Sequence, residues 1–222
     1  VPFIVDNTFA TPVNCRPIEW GADIVTHSTT KYMDGQAVGV GGAIVDSGNF
    51  DWSKYPERFP GLCSPDDSYH GITYTEKFGR AAYLTKATVQ LMRDLGSIQS
   101  PQNAFYLNLG LETLPVRVER HCKNALEIAK YLKSNPKVAW VHYADLPDDE
   151  YHDMMEKYMP NGTCGVLSFA VKGGREAAIR FMDSLKLINI VTHVADAKSC
   201  LLHPASHTHR QLTEEQLIEA GV

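Results

Sequence analysis

Three short apolar runs within the first 45 residues place the strongest constraint on the fold. Phe3–Val5 leads into Asp6, residues 23–26 lead into the polar run His27–Lys31, and residues 38–45 form a Gly-rich apolar run. These runs lack the polar alternation of a strand that has one solvated face. Strands of this kind fit a sheet buried on both faces, as parallel α/β sheets are. We therefore predict an α/β fold with a buried parallel sheet.

Helical patterns dominate from Gly79 onward. Residues 81–95 form one candidate helix, and Ser100 followed by Pro101 is typical of a helix start. An apolar stripe at spacings of four and three predicts a long helix that ends before Pro136. Its members are Val118, Cys122, Ala125, Ala129 and Leu132. Beyond it we predict strands at 138–143, 165–171 and 187–192 and helices at 149–158 and 175–185.

Residues 46–78 form an irregular segment that carries seven aromatic side chains. A stretch of this length without regular structure is usually functional or part of an interface. One interpretation is a surface excursion that packs on a neighbouring subunit. At the chain ends, Val1 lies directly before a predicted core strand, and Thr213 with Gln216 forms a capping-box pattern near the last residue. We expect the sequence to be a piece of a longer protein.

Composition excludes several classes of partner. The chain has 21 Lys and Arg against 26 Asp and Glu, a net charge of −5, so we expect no nucleic acid and no anionic membrane surface as a partner. No apolar run approaches the length of a membrane span. The five cysteines are scattered and lack Cys-x-x-Cys spacing, which favours a reducing compartment such as the cytoplasm. His203, His207 and His209 invite a metal interpretation, but we expect no metal.

Side chains of contrasting chemistry follow the first two predicted strands. Asp6 closes the first strand, and Ser28, Thr30 and Lys31 follow the second. Ligands of doubly wound sheets gather at the carboxyl ends of strands. A carboxylate, two hydroxyls and a lysine at one sheet edge match the needs of pyridoxal phosphate: the amine binds the aldehyde as a Schiff base, and the carboxylate holds the pyridine nitrogen protonated. The alternative is an ordinary Asp-Asn-Thr turn and a surface lysine.

The same residues lie in a longer pattern. Asp6-Asn7-Thr8-Phe9-Ala10-Thr11-Pro12 followed by His27-Ser28-Thr29-Thr30-Lys31-Tyr32 closely resembles the cofactor segment of the Cys/Met metabolism pyridoxal-phosphate enzymes. The resemblance covers essentially the whole chain. It continues through residues 108–114, Arg117, His121, residues 165–169 and residues 202–209.

The resemblance implies a fold and a set of roles. The fold would be that of the aspartate aminotransferase-like, fold type I transferases, with residues 1–117 as the C-terminal part of the large cofactor domain and residues 118–222 as a truncated small α/β domain. Within the first domain, residues 1–45 would carry the cofactor lysine, residues 46–78 the aromatic-rich excursion and residues 79–117 helices.

The roles follow residue by residue from the same resemblance. Lys31 would bind the cofactor and then move the substrate's α and β protons. Asp6 would pair with the pyridinium, and Ser28 with Thr30 would bind the phosphate. Three further positions are implied: Thr8 as support for the ring or for Asp6, Tyr32 beside the lysine as a catalytic or packing residue, and His193 with Val194 as the place that holds the substrate carboxylate.

The excursion at 46–78 and residues 193–199 are most similar to the O-acetylhomoserine sulfhydrylases within this family. The implied activity is γ-replacement, in which O-acetyl-L-homoserine and sulfide or a thiol give homocysteine or methionine and acetate. The alternatives are a γ- or β-lyase or a cystathionine synthase of the same fold, or an inactive fragment that only completes an assembly. The implied partners are the small-molecule substrates and either a homotetramer or a companion polypeptide that carries the missing half.

Overall fold

A computed structural model describes residues 1–222. Its first sheet has three strands: β1 (Ile4–Asp6), β2 (Ile24–Ser28) and β3 (Gly42–Asp46). β2 lies in the middle, parallel to β1 and antiparallel to β3. The short helix α1 (Thr11–Asn14) and a 3-10 turn (Pro17–Trp20) connect β1 to β2. The mixed helix and sheet content is that of the predicted α/β class.

The predicted parallel pairing is confirmed for β1 with β2 and is wrong for β3, and the predicted burial of the strands holds only for β2. Residues 29–41, which join β2 to β3, contain tight turns but no crossover helix, and a parallel connection needs one or its equivalent in length. β2 alone is mostly buried, whereas Ile4 in β1 and Val45 in β3 are 51% and 45% exposed. Apolar runs on these two strands therefore face outward in this chain.

The aromatic-rich segment folds onto its own chain. It contains α2 (Pro60–Cys63), α3 (Tyr74–Phe78) and two 3-10 turns, and leads through a third turn into α4 (Ala82–Lys86) and α5 (Arg93–Leu95). A wider π-helical stretch joins α4 to α5, so one continuous helix covers the predicted range 81–95. The segment supplies most of a buried cluster, whose members are Ile24, Trp52, Leu62, Tyr74 and Ala82. Trp52 and Tyr74 are therefore buried by residues of the chain itself, whereas Tyr55 is exposed.

Two long helices follow, α6 (Pro101–Glu112) and α7 (Leu114–Ser134). The Ser100 hydroxyl accepts the Asn103 N–H, which confirms the predicted helix start. Four members of the predicted stripe of α7 are confirmed as its buried face, Val118, Cys122, Ala125 and Ala129; Leu114 is also buried, whereas Leu132 is only half-buried.

The remaining strands and helices that had predicted bounds are all shorter than predicted, and a strand at Cys200–Leu201 was not predicted. The remaining elements are β4 (Val138–His142), α8 (His152–Tyr158), β5 (Ser168–Val171), α9 (Gly174–Asp183), β6 (Asn189–Ile190), β7 (Cys200–Leu201) and α10 (Glu214–Glu219). β4 pairs with β5 in antiparallel fashion, and β6 pairs with β7 in parallel. The Thr213–Gln216 capping box is confirmed at the start of α10.

A second buried cluster joins the two halves of the chain. Tyr32 from the first half packs with Val118 and Cys122 of α7 and with Ala195 near the end. The cluster therefore crosses the predicted boundary between residues 117 and 118, and that division stays a prediction. No helix is both long and apolar enough to cross a membrane, and no group of three or more His, Cys, Asp or Glu side chains is arranged to hold a metal ion.

Truncating Trp52 tests whether the aromatic segment is part of the chain's own core. Trp52 is 6% exposed and stacks on Tyr83 with ring centroids 5.3 Å apart. We expect Trp52→Ala to lower the free energy of unfolding by about 3–5 kcal/mol, because it leaves a large cavity. Urea denaturation measures the loss. Tyr55→Ala is the control, since Tyr55 is 41% exposed; equal effects of the two changes would contradict the packing described.

Candidate active site

The ends of β1 and β2 bring the predicted cofactor residues to one edge of the sheet. Because β1 and β2 are parallel, with Asp6 beside Thr26, the polypeptide leaves the sheet at the same edge after each strand. Asp6 is the last residue of β1 and Ser28 the last of β2. Lys31 follows in a tight turn, in which its N–H donates to the Ser28 carbonyl at 3.2 Å.

Thr8 couples the Asp6 carboxylate to the end of β2. Its hydroxyl and its backbone N–H both donate to Asp6 Oδ1, and the same hydroxyl oxygen accepts the Ser28 N–H at 2.8 Å. Thr8 is buried, whereas Asp6 is exposed. Since Oδ2 of Asp6 receives no hydrogen bond from the chain, this oxygen is free to accept an N–H from a bound ring.

The two hydroxyls predicted to bind phosphate differ in their present partners. Ser28 Oγ is half-buried and makes no hydrogen bond within the chain. Thr30 Oγ1 accepts the Gly41 N–H at 3.1 Å and faces the Gly41 carbonyl at 3.3 Å. Ser28 is therefore ready to donate to an anion, and Thr30 would have to give up its contact with the Gly41 carbonyl to do so.

Lys31 projects from a turn that is fixed by its own backbone. The Gly35 N–H donates to the Lys31 carbonyl at 2.8 Å, and the Asp34 N–H donates to the Thr29 carbonyl at 3.0 Å. The lysine side chain is half-buried and forms no ion pair with Asp or Glu. An amine without a carboxylate partner at a sheet edge is suited to binding a carbonyl group.

Tyr32, next to the lysine, points into the core. It is 1% exposed, and its hydroxyl accepts the Gly165 N–H at 2.7 Å. Burial raises the pKa of the Tyr32 hydroxyl well above its usual range. This environment favours a supporting role over proton transfer, so a catalytic role for Tyr32 stays a prediction.

Residues 193–200 lie beside the lysine turn. The Ala197 N–H donates to the Gly35 carbonyl at 2.9 Å, and the Cys200 thiol donates to the His193 carbonyl at 3.0 Å. Ala195 is buried and has a left-handed backbone with φ +68°. His193 Nε2 is buried without a partner, and Val194 is half-buried. An unpaired buried nitrogen at such a place is suited to a ligand group.

Two neighbours of the site were missed by the sequence reasoning. Burial raises the pKa of the Cys200 thiol, and the charge of nearby Lys31 opposes that rise. Burial also lowers the pKa of His27, and the Asp6 carboxylate opposes that change. His27 Nδ1 is buried and unpaired. No sequence signal marked Cys200, since its approach to Lys31 depends on the tertiary fold, whereas His27 stood within the quoted motif without a role.

Taken together, the residues fit pyridoxal phosphate. The unpaired Lys31 amine, the unpaired Ser28 hydroxyl and the free oxygen of Asp6 are the three groups that its aldehyde, phosphate and pyridine nitrogen require. None of these three groups has a partner within the chain. The Thr8 hydroxyl holds the Asp6 carboxylate and the Ser28 backbone in place.

Replacing the Thr8 hydroxyl tests this coupling. Thr8→Val keeps the volume but removes the donor to Asp6 and the acceptor of the Ser28 N–H. We expect it to lower the free energy of unfolding by about 1–3 kcal/mol, because the part-buried Ser28 N–H loses its acceptor and the Asp6 carboxylate loses a donor. Thr8→Ser, which keeps the hydroxyl, is the control in the same denaturation measurement. If the valine variant were as stable as the serine variant, the hydroxyl would not couple the strands.

Known proteins are similar to this chain over its full length. The family model for Cys/Met metabolism PLP-dependent enzymes matches residues 1–222. The chain is 47% identical to the homocysteine synthase of Schizosaccharomyces pombe and 46% identical to O-acetyl-L-homoserine sulfhydrylase 1 of Thermus thermophilus; each match covers all of this chain and 52% of the relative. It therefore spans about half the length of these curated relatives.

A solved structure agrees with both the fold and the cofactor. A Campylobacter jejuni protein named as an O-acetylhomoserine (thiol)-lyase superposes with a TM-score of 0.92 at 38% identity, over 100% of this chain and 53% of that one. That crystal structure contains N'-pyridoxyl-lysine-5'-monophosphate. The predicted α/β transferase fold and the predicted cofactor are thereby confirmed. The chain belongs to the Cys/Met metabolism family of PLP-dependent enzymes.

Proposed function

We propose that the protein containing this chain catalyses γ-replacement on O-acetyl-L-homoserine with sulfide or a thiol, which gives homocysteine or methionine and acetate. The observation that carries the proposal is the unpaired, half-buried Lys31 at the same sheet edge as Asp6 and Ser28. The names of relatives that are 43–47% identical support the choice of substrate.

Different residues of this chain would bind different groups of the cofactor. When bound, pyridoxal phosphate supplies the electron sink that stabilises negative charge at the substrate α carbon. Asp6 would accept the N–H of the ring, with Thr8 holding the carboxylate. Ser28 and Thr30 would donate to the phosphate.

Lys31 would bind the cofactor aldehyde and then act as the proton carrier. Its Nζ would take the substrate α proton and assist the departure of a β proton before acetate leaves. The backbone at His193 and Val194 would hold the substrate carboxylate, and the unpaired His193 Nε2 beside it leaves a side-chain nitrogen available to the same ligand. Tyr32 would hold the lysine turn through its buried ring.

A lyase of the same fold is the alternative, because Lys31, Asp6 and Ser28 would hold the same cofactor groups in elimination as in replacement. In that case water instead of a thiol would complete the reaction. Acetate release from O-acetyl-L-homoserine, measured with and without sulfide in the intact protein, separates the two. We expect release to require sulfide, and homocysteine to form in equal amount. Full release without sulfide would favour the lyase.

The wider organisation of the protein is part of the same proposal. Residues 1–117 would complete a large cofactor domain and residues 118–222 a small domain. We expect a homotetramer, or a companion polypeptide, to cover the apolar face of α6, where Phe105 and Leu109 are 55% and 46% exposed. The five free cysteines favour the reducing environment of the cytoplasm.

Variants of Lys31 and Asp6 test the assignment of the cofactor groups in the intact enzyme. Lys31→Ala should abolish the borohydride-reducible cofactor bond and nearly all turnover while the protein stays folded, because it removes the amine. Asp6→Ala should keep the reducible bond but slow turnover about 10- to 100-fold, since a charge-assisted hydrogen bond of about 1.5–3 kcal/mol is lost. Absorbance, peptide mapping after reduction and steady-state rates measure these effects.

Other lysines serve as the comparison. If Lys31→Ala kept a reducible bond that mapped to Lys54, Lys77 or Lys86, the assignment of Lys31 would be overturned. Lys86 in particular already pairs with Asp66 at 2.8 Å. Lys86→Met should therefore leave the cofactor attached.

A further inference from the structure

We propose that Arg117 is a positioning residue for Lys31, because its guanidinium holds the backbone turn from which the lysine projects. This inference rests on the proposed function, in which Lys31 binds the cofactor. Arg117 lies near the start of α7 and contacts the turn through the Tyr32 and Met33 carbonyls. It does not take part in the set of residues assigned to the cofactor or the substrate.

The guanidinium joins the lysine turn to the end of α6. Nη1 donates to the Tyr32 carbonyl at 2.7 Å, and Nη2 donates to the Gly110 carbonyl at 2.7 Å and more weakly to the Met33 carbonyl at 3.4 Å. Nε donates to Thr113 Oγ1 at 3.0 Å, which fixes the plane of the fork. One side chain thus binds three carbonyls from two separate segments.

Two of these carbonyls have no other donor. In the turn, the Lys31 carbonyl accepts the Gly35 N–H, but no backbone N–H reaches the carbonyls of Tyr32 and Met33. Arg117 therefore supplies the hydrogen bonds that a continuing helix would otherwise give. A lysine has three N–H donors on one nitrogen and no planar fork, so it could not hold the same carbonyls in one fixed geometry.

The residues packed around the Arg117 guanidinium leave little space for it to move. A Cβ built on Gly35 would lie 2.3 Å from Arg117 Nη1, and a Cβ on Gly110 would lie 2.4 Å from the Met33 carbonyl oxygen. Burial lowers the pKa of Arg117, and the nearby Asp34 carboxylate opposes that change. The charge is thus partly removed from water and is compensated by the carbonyls that it binds.

The consequence concerns the direction of the lysine. Tyr32 is fixed from one side by the Gly165 N–H, and its carbonyl is fixed from the other side by Arg117. Its neighbour Lys31 then leaves the turn in one direction only. A misplacement of about 1 Å in a reacting group can cost about 100-fold in rate. We therefore expect the hydrogen bonds from Arg117 to affect the chemical step more than substrate binding.

The test compares Arg117→Gln and Arg117→Lys with Arg120→Gln in the intact holoenzyme. Arg120 lies on the same helix and is exposed, and its side chain makes no hydrogen bond, so it is the matched control. Three quantities are measured: hydrogen exchange in the peptide covering residues 29–35, the pH midpoint of the visible absorption of the cofactor–lysine bond, and kcat with KM.

For Arg117→Gln we expect faster hydrogen exchange in the peptide covering residues 29–35 and a shift in the pH midpoint of the visible absorption. We expect kcat to be about 10- to 100-fold lower, with KM changed by less than about threefold. Arg117→Lys should be intermediate in all three measurements, and Arg120→Gln should match the unchanged protein. A merely structural arginine would lower the amount of folded enzyme without moving the pH midpoint.

The inference is overturned if the folded fraction of Arg117→Gln has the exchange, midpoint and kcat of the unchanged protein. Should Arg117→Gln not fold, Arg117→Lys decides by the same three readings. Absence of a reducible bond at Lys31 in the unchanged protein would instead overturn the proposed function, and the inference with it. The two failures are therefore distinguishable.

Discussion

The parallel pairing of β1 with β2 is the constraint on which the candidate site depends. The register sets Asp6 beside Thr26, and the pairing continues one step further through the Asn7 N–H to the Thr26 carbonyl at 2.9 Å. A slip by one residue would turn the Asp6 carboxylate to the opposite face of the sheet. It would also remove the Thr8 hydroxyl from the Ser28 N–H. Two strands of three and five residues thus fix the relative positions of the carboxylate, the hydroxyls and the lysine turn.

Hydrogen bonds join Asp6, Thr8 and Ser28 at this edge of the sheet, and two buried apolar clusters fix the chain on either side of it. β1 contributes little buried apolar surface, whereas Ile24 in β2 belongs to one buried cluster and Tyr32 to another. The lysine turn lies between these two anchors. Since neighbouring residues in the turn point in different directions, the burial of Tyr32 leaves Lys31 at the sheet edge, where a ligand can reach it.

Local patterns in the sequence predicted the parts of the fold that neighbouring residues determine. The apolar stripe of α7, the Ser100 helix start and the end of β1 at Asp6 are of this kind, whereas β2 continues two residues past the predicted end at Thr26. The direction of β3 and the inward folding of the aromatic segment were not predicted, because both depend on contacts between residues that are distant in sequence. The same reason applies to Cys200, which approaches Lys31 only after the chain has folded. Resemblance to a family supplied what spacing alone left open, namely the choice between a cofactor site and an ordinary turn.

The segment that contains His193 to Ala197 is the part of the site where local preferences are least satisfied. Ala195 adopts a left-handed backbone that costs a non-glycine residue about 1–2 kcal/mol, and the buried Nε2 of His193 has no partner. Two hydrogen bonds offset this cost: the Ala197 N–H binds the lysine turn, and the Cys200 thiol binds the His193 carbonyl. Strain persists only where the surrounding structure determines it, and it is concentrated at functional sites. The strained segment is hydrogen-bonded through Ala197 to the turn that carries Lys31, so each of the two segments helps to position the other.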